Sequence, residues 1–204
     1  MSTLTARTWP EQREARLYDE SDHDLVKRAK RQDAEAFSVL VQRHQHVVYN
    51  LAYRYMRDAN LAEDMAQEAF LKGFRLLKGF RGDCSFSTWM YRVTCSVCLT
   101  EIARRKKRGE VMLDVHHGGT YENTQAESQD RADIIRRCVT ELPERYATII
   151  TMYYLKEMPY EEIAAAMSIP LGTLKTWMFR ARKELRVLVE QELGTDDDGQ
   201  PEKP

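Results

Sequence analysis

The side chains with the clearest chemistry lie in the stretch YEEIAAAMSIPLGTLKTWMFRARKELR, residues 160–186. Its second half carries a basic and polar face, and basic side chains neutralise the phosphates of nucleic acid. A solvated basic face on an ordinary helical hairpin is the alternative interpretation. The side chains on that face are Lys175, Thr176, Phe179, Arg180 and Lys183.

Two helices joined by a tight turn are predicted to position that face. The segment 168–172, SIPLG, predicts the turn, because proline lacks the N–H that a helix interior needs and glycine favours turns. Thr173 is predicted to cap the second helix. The pattern is typical of a helix-turn-helix, whose second helix enters the DNA major groove. The apolar stripe of that helix is predicted to comprise Leu174, Met178, Ala181, Leu185 and Leu188.

A second basic and aromatic segment begins with KGFRGDCSF, residues 78–86, and continues as a helix that ends in the basic run Arg104–Arg108. Aromatic rings beside basic groups suit single-stranded or opened DNA, because bases stack on rings while phosphates are neutralised. Ser85 or Ser87 is predicted to cap the helix. For Trp89, burial in a helical core is as good an interpretation as contact with a base.

Three polar side chains, Asp64, Gln67 and Glu68, are spaced to share one outward face of an earlier helix. A solvated acidic face near a helix start is one interpretation, since the helix dipole favours acids there. A docking face for a basic partner helix is the other.

The cysteines raise the question of a metal or redox switch. Cys95 and Cys98 form a C-x-x-C on one predicted helix, with Cys84 in the preceding loop and histidines at 116–117. A structural zinc site needs four well-placed ligands, and only two here have clear spacing. Cysteine also packs as a small apolar residue. No metal site and no cofactor are predicted.

The length, charge and apolar content of the chain favour a soluble cytoplasmic protein. The chain has 204 residues and a net charge of −1, so any nucleic-acid site depends on a local basic patch. The N-terminus lacks the apolar segment of a signal peptide, and no stretch has the apolar length of a membrane span.

The pattern along the chain predicts an all-α fold in two small helical domains. Residues 109–129 contain no lysine or arginine and predict an acidic flexible linker. Residues 1–20 are predicted to be a flexible extension and residues 194–204 a disordered tail. The two domains are predicted at 21–108 and 130–193. Helices are expected at 22–31, 33–57, 61–77 with Asn60 as its cap, from Ser85 or Ser87 onward, 130–141, 143–155 and in the helix-turn-helix.

Three stretches in this order resemble the extracytoplasmic-function sigma factors, small bacterial subunits of RNA polymerase. They are Asn60–Phe70 (NLAEDMAQEAF), Phe80–Arg92 (FRGDCSFSTWMYR) with the basic run to Arg108, and LPER at 142–145 followed by YEEIA and GTLKTWMFRAR. The resemblance covers about residues 22–108 and 131–190. It implies a transcription initiation factor, not an enzyme, that makes core polymerase promoter-specific.

The resemblance also assigns roles to residues. Asp64, Gln67 and Glu68 would dock on the coiled coil of the largest polymerase subunit, and the protein would also meet the polymerase flap. The loop 80–87 and the following helix would capture a flipped base of the minus-ten element. The minus-ten residues would be Phe80, Arg81, Phe86, Trp89, Arg92, Ser96, Arg104 and Arg105. The minus-thirty-five residues would be Thr173, Lys175, Thr176, Phe179, Arg180 and Arg182. An anti-sigma factor is an implied partner, beside core polymerase and promoter DNA.

The sequence departs from the family pattern at several positions. Trp177 stands where an arginine or another polar residue is usual, and Ser96 stands where asparagine is frequent. Cys95, Cys98, Leu99 and Thr100 also differ. These departures concern the promoter sequence that is read, not the family.

Two rival functions remain open at this point. A conventional DNA-binding regulator would bind duplex operators without polymerase, but it has no need of the acidic face or of the segment Phe80–Arg108. An all-helical adaptor would bind only protein, with merely solvated basic faces, and salt-dependent DNA binding would exclude it.

Overall fold

The computed structural model describes residues 19–109 and 123–193, with side chains from residue 131 onward in the second range. These residues form helices and connecting turns, with no strand, which confirms the all-α prediction. The predictions for residues 1–18, for most of the linker including histidines 116–117, and for the tail fall outside the described residues. The helices are α1 (Asp22–Ala29), α2 (Ala34–Met56), α3 (Ala59–Leu76), α4 (Phe86–Lys107), α5 (Asn123–Glu141), α6 (Glu144–Lys156), α7 (Tyr160–Met167) and α8 (Leu171–Leu193).

The chain divides into two compact units, and the division falls between Cys98 and Leu99 within α4. The domain boundary predicted from sequence lies at residue 108, at the end of the same helix. Helix α5 begins at Asn123, so its first turns lie inside the segment predicted as linker. Among the described helices, none combines the length with the apolar character that crossing a membrane requires.

The helices of the first unit begin at side-chain caps, which satisfy N–H groups that the helix itself leaves unpaired. Ser21 Oγ accepts from the N–H of Asp24 at 3.2 Å. Of the two serines predicted as caps of α4, Ser85 is the cap, and its Oγ accepts from the N–H of Thr88 at 3.0 Å. The prediction of Asn60 as the cap of α3 is wrong. Asp58 Oδ1 accepts from the N–H of Leu61 at 2.9 Å, so the helix begins earlier.

A charged network joins the start of α1 to α2. Asp22 accepts from Arg43 Nη1 at 2.7 Å and lies 2.7 Å from His44 Nε2. Partial burial raises the pKa of the Asp22 carboxyl, but the hydrogen bonds from Arg43 and His44 outweigh this effect, so the pKa lies below its ordinary value. The His44 ring in turn lies 5.2 Å from the ring of Phe86, centroid to centroid, at the beginning of α4.

The first unit has one apolar core, to which α1, α2, α3 and the beginning of α4 contribute. Helix α3 offers a row of small residues, Ala62, Ala66, Ala69 and Gly73, to its neighbours. At Gly73 an added Cβ would lie 2.8 Å from Met90 Sδ and 3.7 Å from Trp89 Cζ3. Any side chain at position 73 would therefore require the buried Met90 side chain to shift.

In the second unit, α6, α7 and α8 pack together, and α5 contacts both α6 and α8. Leu174, Met178 and Ala181 of α8 are completely buried or nearly so, which confirms the centre of the predicted stripe. Leu185 and Leu188 are only partly buried.

The turn between α7 and α8 differs from the predicted one. Ser168 adopts the left-handed conformation, with φ 56° and ψ 43°, and its N–H bonds back to carbonyls of α7. Helix α8 begins at once after Pro170, whose carbonyl accepts from Leu174 at 3.1 Å. Thr173 therefore lies inside the helix, and the prediction that it caps α8 is wrong. Gly172 likewise lies in the helix, in open space.

Replacing Gly73 by valine should lower the free energy of unfolding by about 1–3 kcal/mol, because the branched side chain has no room against Met90 and Trp89. The matched control is Gly79→Ala, where an added Cβ meets nothing within 4 Å. Urea denaturation followed by circular dichroism measures both variants. Equal stability of the two would contradict the close approach described for Gly73.

Candidate nucleic-acid interface

The outward face of α8 carries the predicted duplex-contacting residues. Lys175, Thr176, Phe179, Arg180 and Arg182 are exposed, and Thr173 is half-buried. Phe179 is 71% exposed, so its ring is accessible on the outer face of α8. The Thr176 hydroxyl donates to the Gly172 carbonyl at 3.0 Å, so its lone pairs and methyl group remain available. The structure thus brings all of these residues together on one helix.

One edge of this face is fixed by aromatic rings of α6. The guanidinium of Arg182 lies 5.3 Å from the ring centroid of Tyr153 and 5.6 Å from that of Tyr154. Tyr153 also meets Tyr160 of α7 edge to face, at 5.2 Å between centroids. A guanidinium stacked on a ring keeps its N–H edge free for hydrogen bonds. These tyrosines were not among the predicted site residues.

The aromatic residues predicted to contact the minus-ten element are buried. Phe80, Phe86 and Trp89 are 7%, 4% and 5% exposed, and all three belong to the core of the first unit. Trp89 lies 5.0 Å from Phe80 and 5.8 Å from Phe86, centroid to centroid. For Trp89 this geometry corresponds to the core interpretation. In this conformation the three rings support the loop from beneath, and none offers an open face on which a base could stack.

The polar side chains predicted to contact the minus-ten element are more accessible than these aromatic rings. Arg81 is exposed and pairs with Asp83 at 2.9 Å within the loop. Arg92 and Ser96 of α4 are half-buried. Lys72 of α3, which sequence reasoning missed, donates to Ser96 Oγ at 2.8 Å and places its ammonium group beside that residue.

The basic run at the end of α4 is organised by a carboxylate of the same helix. Glu101 accepts from Arg104 Nε at 2.7 Å and from Arg105 Nε at 3.1 Å, and Arg108 lies 3.7 Å from it. The hydrogen bond from Arg104 outweighs burial and lowers the pKa of the Glu101 carboxyl below its ordinary value. The carboxylate therefore stays charged and holds arginines that are also suited to phosphate. In the sequence, Glu101 precedes the three arginines by three, four and seven residues, and this helical spacing was the signal that could have predicted the network.

The predicted docking residues Asp64, Gln67 and Glu68 are exposed on α3. Glu68 pairs with Arg75 at 2.6 Å, and both side chains remain largely accessible. Leu71 lies between them and is 59% exposed, so the acidic face includes an apolar contact point.

The cysteines do not form a ligand cluster within the described part of the chain, where no group of three metal-binding side chains occurs. Cys95 and Cys98 are fully buried, and Cys84 is half-buried. Burial raises the pKa of the Cys98 thiol far above its ordinary value, which leaves it protonated and unreactive. The packing interpretation accounts for Cys95 and Cys98.

Comparison with known proteins finds matches over most of the chain. Residues 40–108 match the family model for sigma-70 region 2, and residues 132–185 match that for sigma-70 region 4. The RNA polymerase sigma-H factor of Pseudomonas aeruginosa is 34% identical over 181 residues, covering 83% of this chain and 94% of that protein. The ECF RNA polymerase sigma-E factor of Escherichia coli strain K12 is 36% identical over 178 residues, covering 81% and 92%.

The fold has a counterpart among solved structures. CnrH, in its complex with the cytosolic domain of CnrY, matches with a TM-score of 0.52 and 18% identity, over 85% of this chain and 99% of that one. Sigma-70 regions 2 and 4 define a class of transcription initiation factors. The chain belongs, within that class, to the extracytoplasmic-function sigma factors.

Proposed function

We propose that this protein binds core RNA polymerase through the acidic face of α3, reads the minus-ten element with the loop 80–85 and α4, and reads the minus-thirty-five element with α8. The exposed face of α8 carries the proposal most directly, because an exposed Phe179 lies among cations on a helix whose opposite side is buried. Polymerase supplies the chemistry, and this protein supplies promoter recognition in the cytoplasm.

At the minus-thirty-five element, α8 enters the major groove of the duplex. Lys175 and Arg180 can pair with guanine edges, and Phe179 can press on a thymine methyl group. Arg182, stacked on the tyrosines of α6, is suited to the neighbouring phosphates. The buried stripe Leu174–Met178–Ala181 holds the helix at one rotation, so the same side chains face the groove.

At the minus-ten element, the loop 80–85 and the exposed side of α4 meet the opened strand. The rings of Phe80, Phe86 and Trp89 are packed beneath this surface, so we assign them the support of the loop. Arg81, Arg92 and Ser96 then remain for polar contacts with an extruded base and its sugar-phosphate. Arg104 and Arg105, held in place by the Glu101 carboxylate, neutralise backbone phosphates with their remaining N–H donors.

Polymerase docking uses Asp64, Gln67 and Glu68 as carboxylate and amide acceptors for basic side chains of the coiled coil in the largest subunit. The exposed Leu71 adds apolar contact area beside them. The C-terminal unit meets the polymerase flap. An anti-sigma factor that covers these surfaces would keep the protein from polymerase and DNA.

Replacing Arg180 by alanine should weaken binding to a promoter duplex by about 1–3 kcal/mol, because a guanidinium that reads a base edge is lost. The control is Arg136→Ala on α5, which removes an ion pair with Asp133 and lies outside the reading face of α8. Fluorescence anisotropy with labelled duplexes measures both variants. Equal affinities of Arg180→Ala and wild type would refute the base contact.

Replacing Asp64 by lysine should impair binding to core polymerase and leave the fold intact, because the residue is exposed and the reversed charge repels a basic partner. Glu35→Lys makes the same charge change at an exposed position of α2 and serves as the control. Affinity for core polymerase is measured by biolayer interferometry, with circular dichroism as the check on folding. Wild-type affinity of Asp64→Lys would contradict the docking assignment.

A further inference from the structure

Arg145 occupies a position where a positive charge is unfavourable. It is the second residue of α6, and cations near a helix N-terminus oppose the helix dipole. The side chain is exposed, and none of the carboxylates among the described residues forms an ion pair with it. Neither helix stability nor charge pairing accounts for an arginine here.

Two aromatic rings hold this guanidinium in place. Its carbon lies 4.9 Å from the ring centroid of Tyr146 and 5.5 Å from that of Trp177 on α8. Tyr146 is buried and Trp177 is half-buried, so the rings form a fixed platform and the guanidinium lies on its outer side. Stacking of this kind holds the guanidinium in place and leaves its N–H donors free.

The platform lies at the border of the DNA-reading face of α8. At 100° per residue, Trp177 is about 40° from Thr173 and about 60° from Arg180, and about 40° from the buried Ala181 on its other side. Arg182 occupies the opposite border, stacked on Tyr153 and Tyr154. The reading face is thus bracketed by two guanidinium groups, each stacked on aromatic rings.

A helix that lies in the major groove has a row of phosphates on each side, and contacts to those phosphates fix its register. We propose that Arg145 is a further phosphate-contacting residue for the minus-thirty-five duplex and that Trp177 is its positioning residue. Trp177 itself carries no charge, and the cation at this border of α8 is supplied from α6. The inference rests on the proposed function, in which α8 enters the groove.

Replacing Arg145 by alanine should weaken the full-length protein several-fold on a duplex carrying its minus-thirty-five element and on a scrambled duplex of equal length, by similar factors. A phosphate contact carries no sequence information, and its loss should reduce the slope of log affinity against log salt by about one. The control is Lys156→Ala at the other end of α6, about 16 Å away along the helix, which should change neither quantity. Anisotropy titrations at four salt concentrations provide the slopes.

A rescue experiment separates this role from a structural one. Trp177→Arg introduced into the Arg145→Ala protein should restore affinity and the salt slope, because it returns a cation to the same border of α8. Trp177→Phe should bind DNA as the wild type does, and Trp177→Leu should lose as much affinity as Arg145→Ala. The double substitution Arg145→Ala/Trp177→Leu should bind no more weakly than either single substitution.

The contradicting outcomes are distinct. Unchanged affinity and slope for Arg145→Ala, with Arg180→Ala still impaired, would overturn this inference and leave the proposed function standing. A loss confined to the promoter duplex would show a base contact and overturn the phosphate assignment. A lowered melting temperature without rescue by Trp177→Arg would show a structural role and also overturn it. Unchanged binding by both Arg145→Ala and Arg180→Ala would refute the proposed function itself.

Discussion

The burial of one narrow stripe on α8 is the constraint on which the DNA-reading face depends. Leu174, Met178 and Ala181 lie at or near zero exposure, so the helix cannot rotate without opening the core. Every other side chain on α8 then has a fixed direction relative to α6 and α7. Packing constrains the first unit in a similar way, because Gly73 and the alanines of α3 set the distance between α3 and α4. In both units the buried side of a helix determines what its exposed side can contact.

Charge is arranged in local pairs over most of the surface, in keeping with a net charge of −1. Glu101 holds Arg104 and Arg105, and Arg81 pairs with Asp83. The Arg81–Asp83 pair is exposed, and exposed ion pairs contribute about 0–1 kcal/mol, so replacing its carboxylate by a phosphate costs little. Glu101 is buried, and its carboxylate keeps its arginines in place. The arginines that border α8 are held by aromatic rings instead, which leaves their charge uncompensated. This difference predicts that the C-terminal unit attracts duplex DNA more strongly than the overall charge suggests.

Apolar periodicity was enough to predict the helices, and the order of three motifs was enough to predict the family. The remaining errors have local physical causes. Asp58 and Asn60 are both good caps, and the sequence does not say which one the backbone selects. The left-handed conformation of Ser168 lets α8 begin directly after Pro170, which leaves Thr173 inside the helix. No local pattern distinguishes a buried Trp89 from one that contacts a base, because the answer depends on Gly73 in another helix. The Arg145–Trp177 contact likewise joins two helices, so the pattern within either helix alone does not predict it.

The central claim is that this protein gives core RNA polymerase the ability to choose promoters. Transcription with purified core polymerase on a genomic fragment library, with and without the protein, tests it most directly when RNA start sites are mapped. With the protein present, we expect new start sites that share two spaced upstream elements and that disappear with Asp64→Lys. An absence of new starts, although the protein still binds duplex DNA, would contradict the account and favour a regulator that acts without entering polymerase.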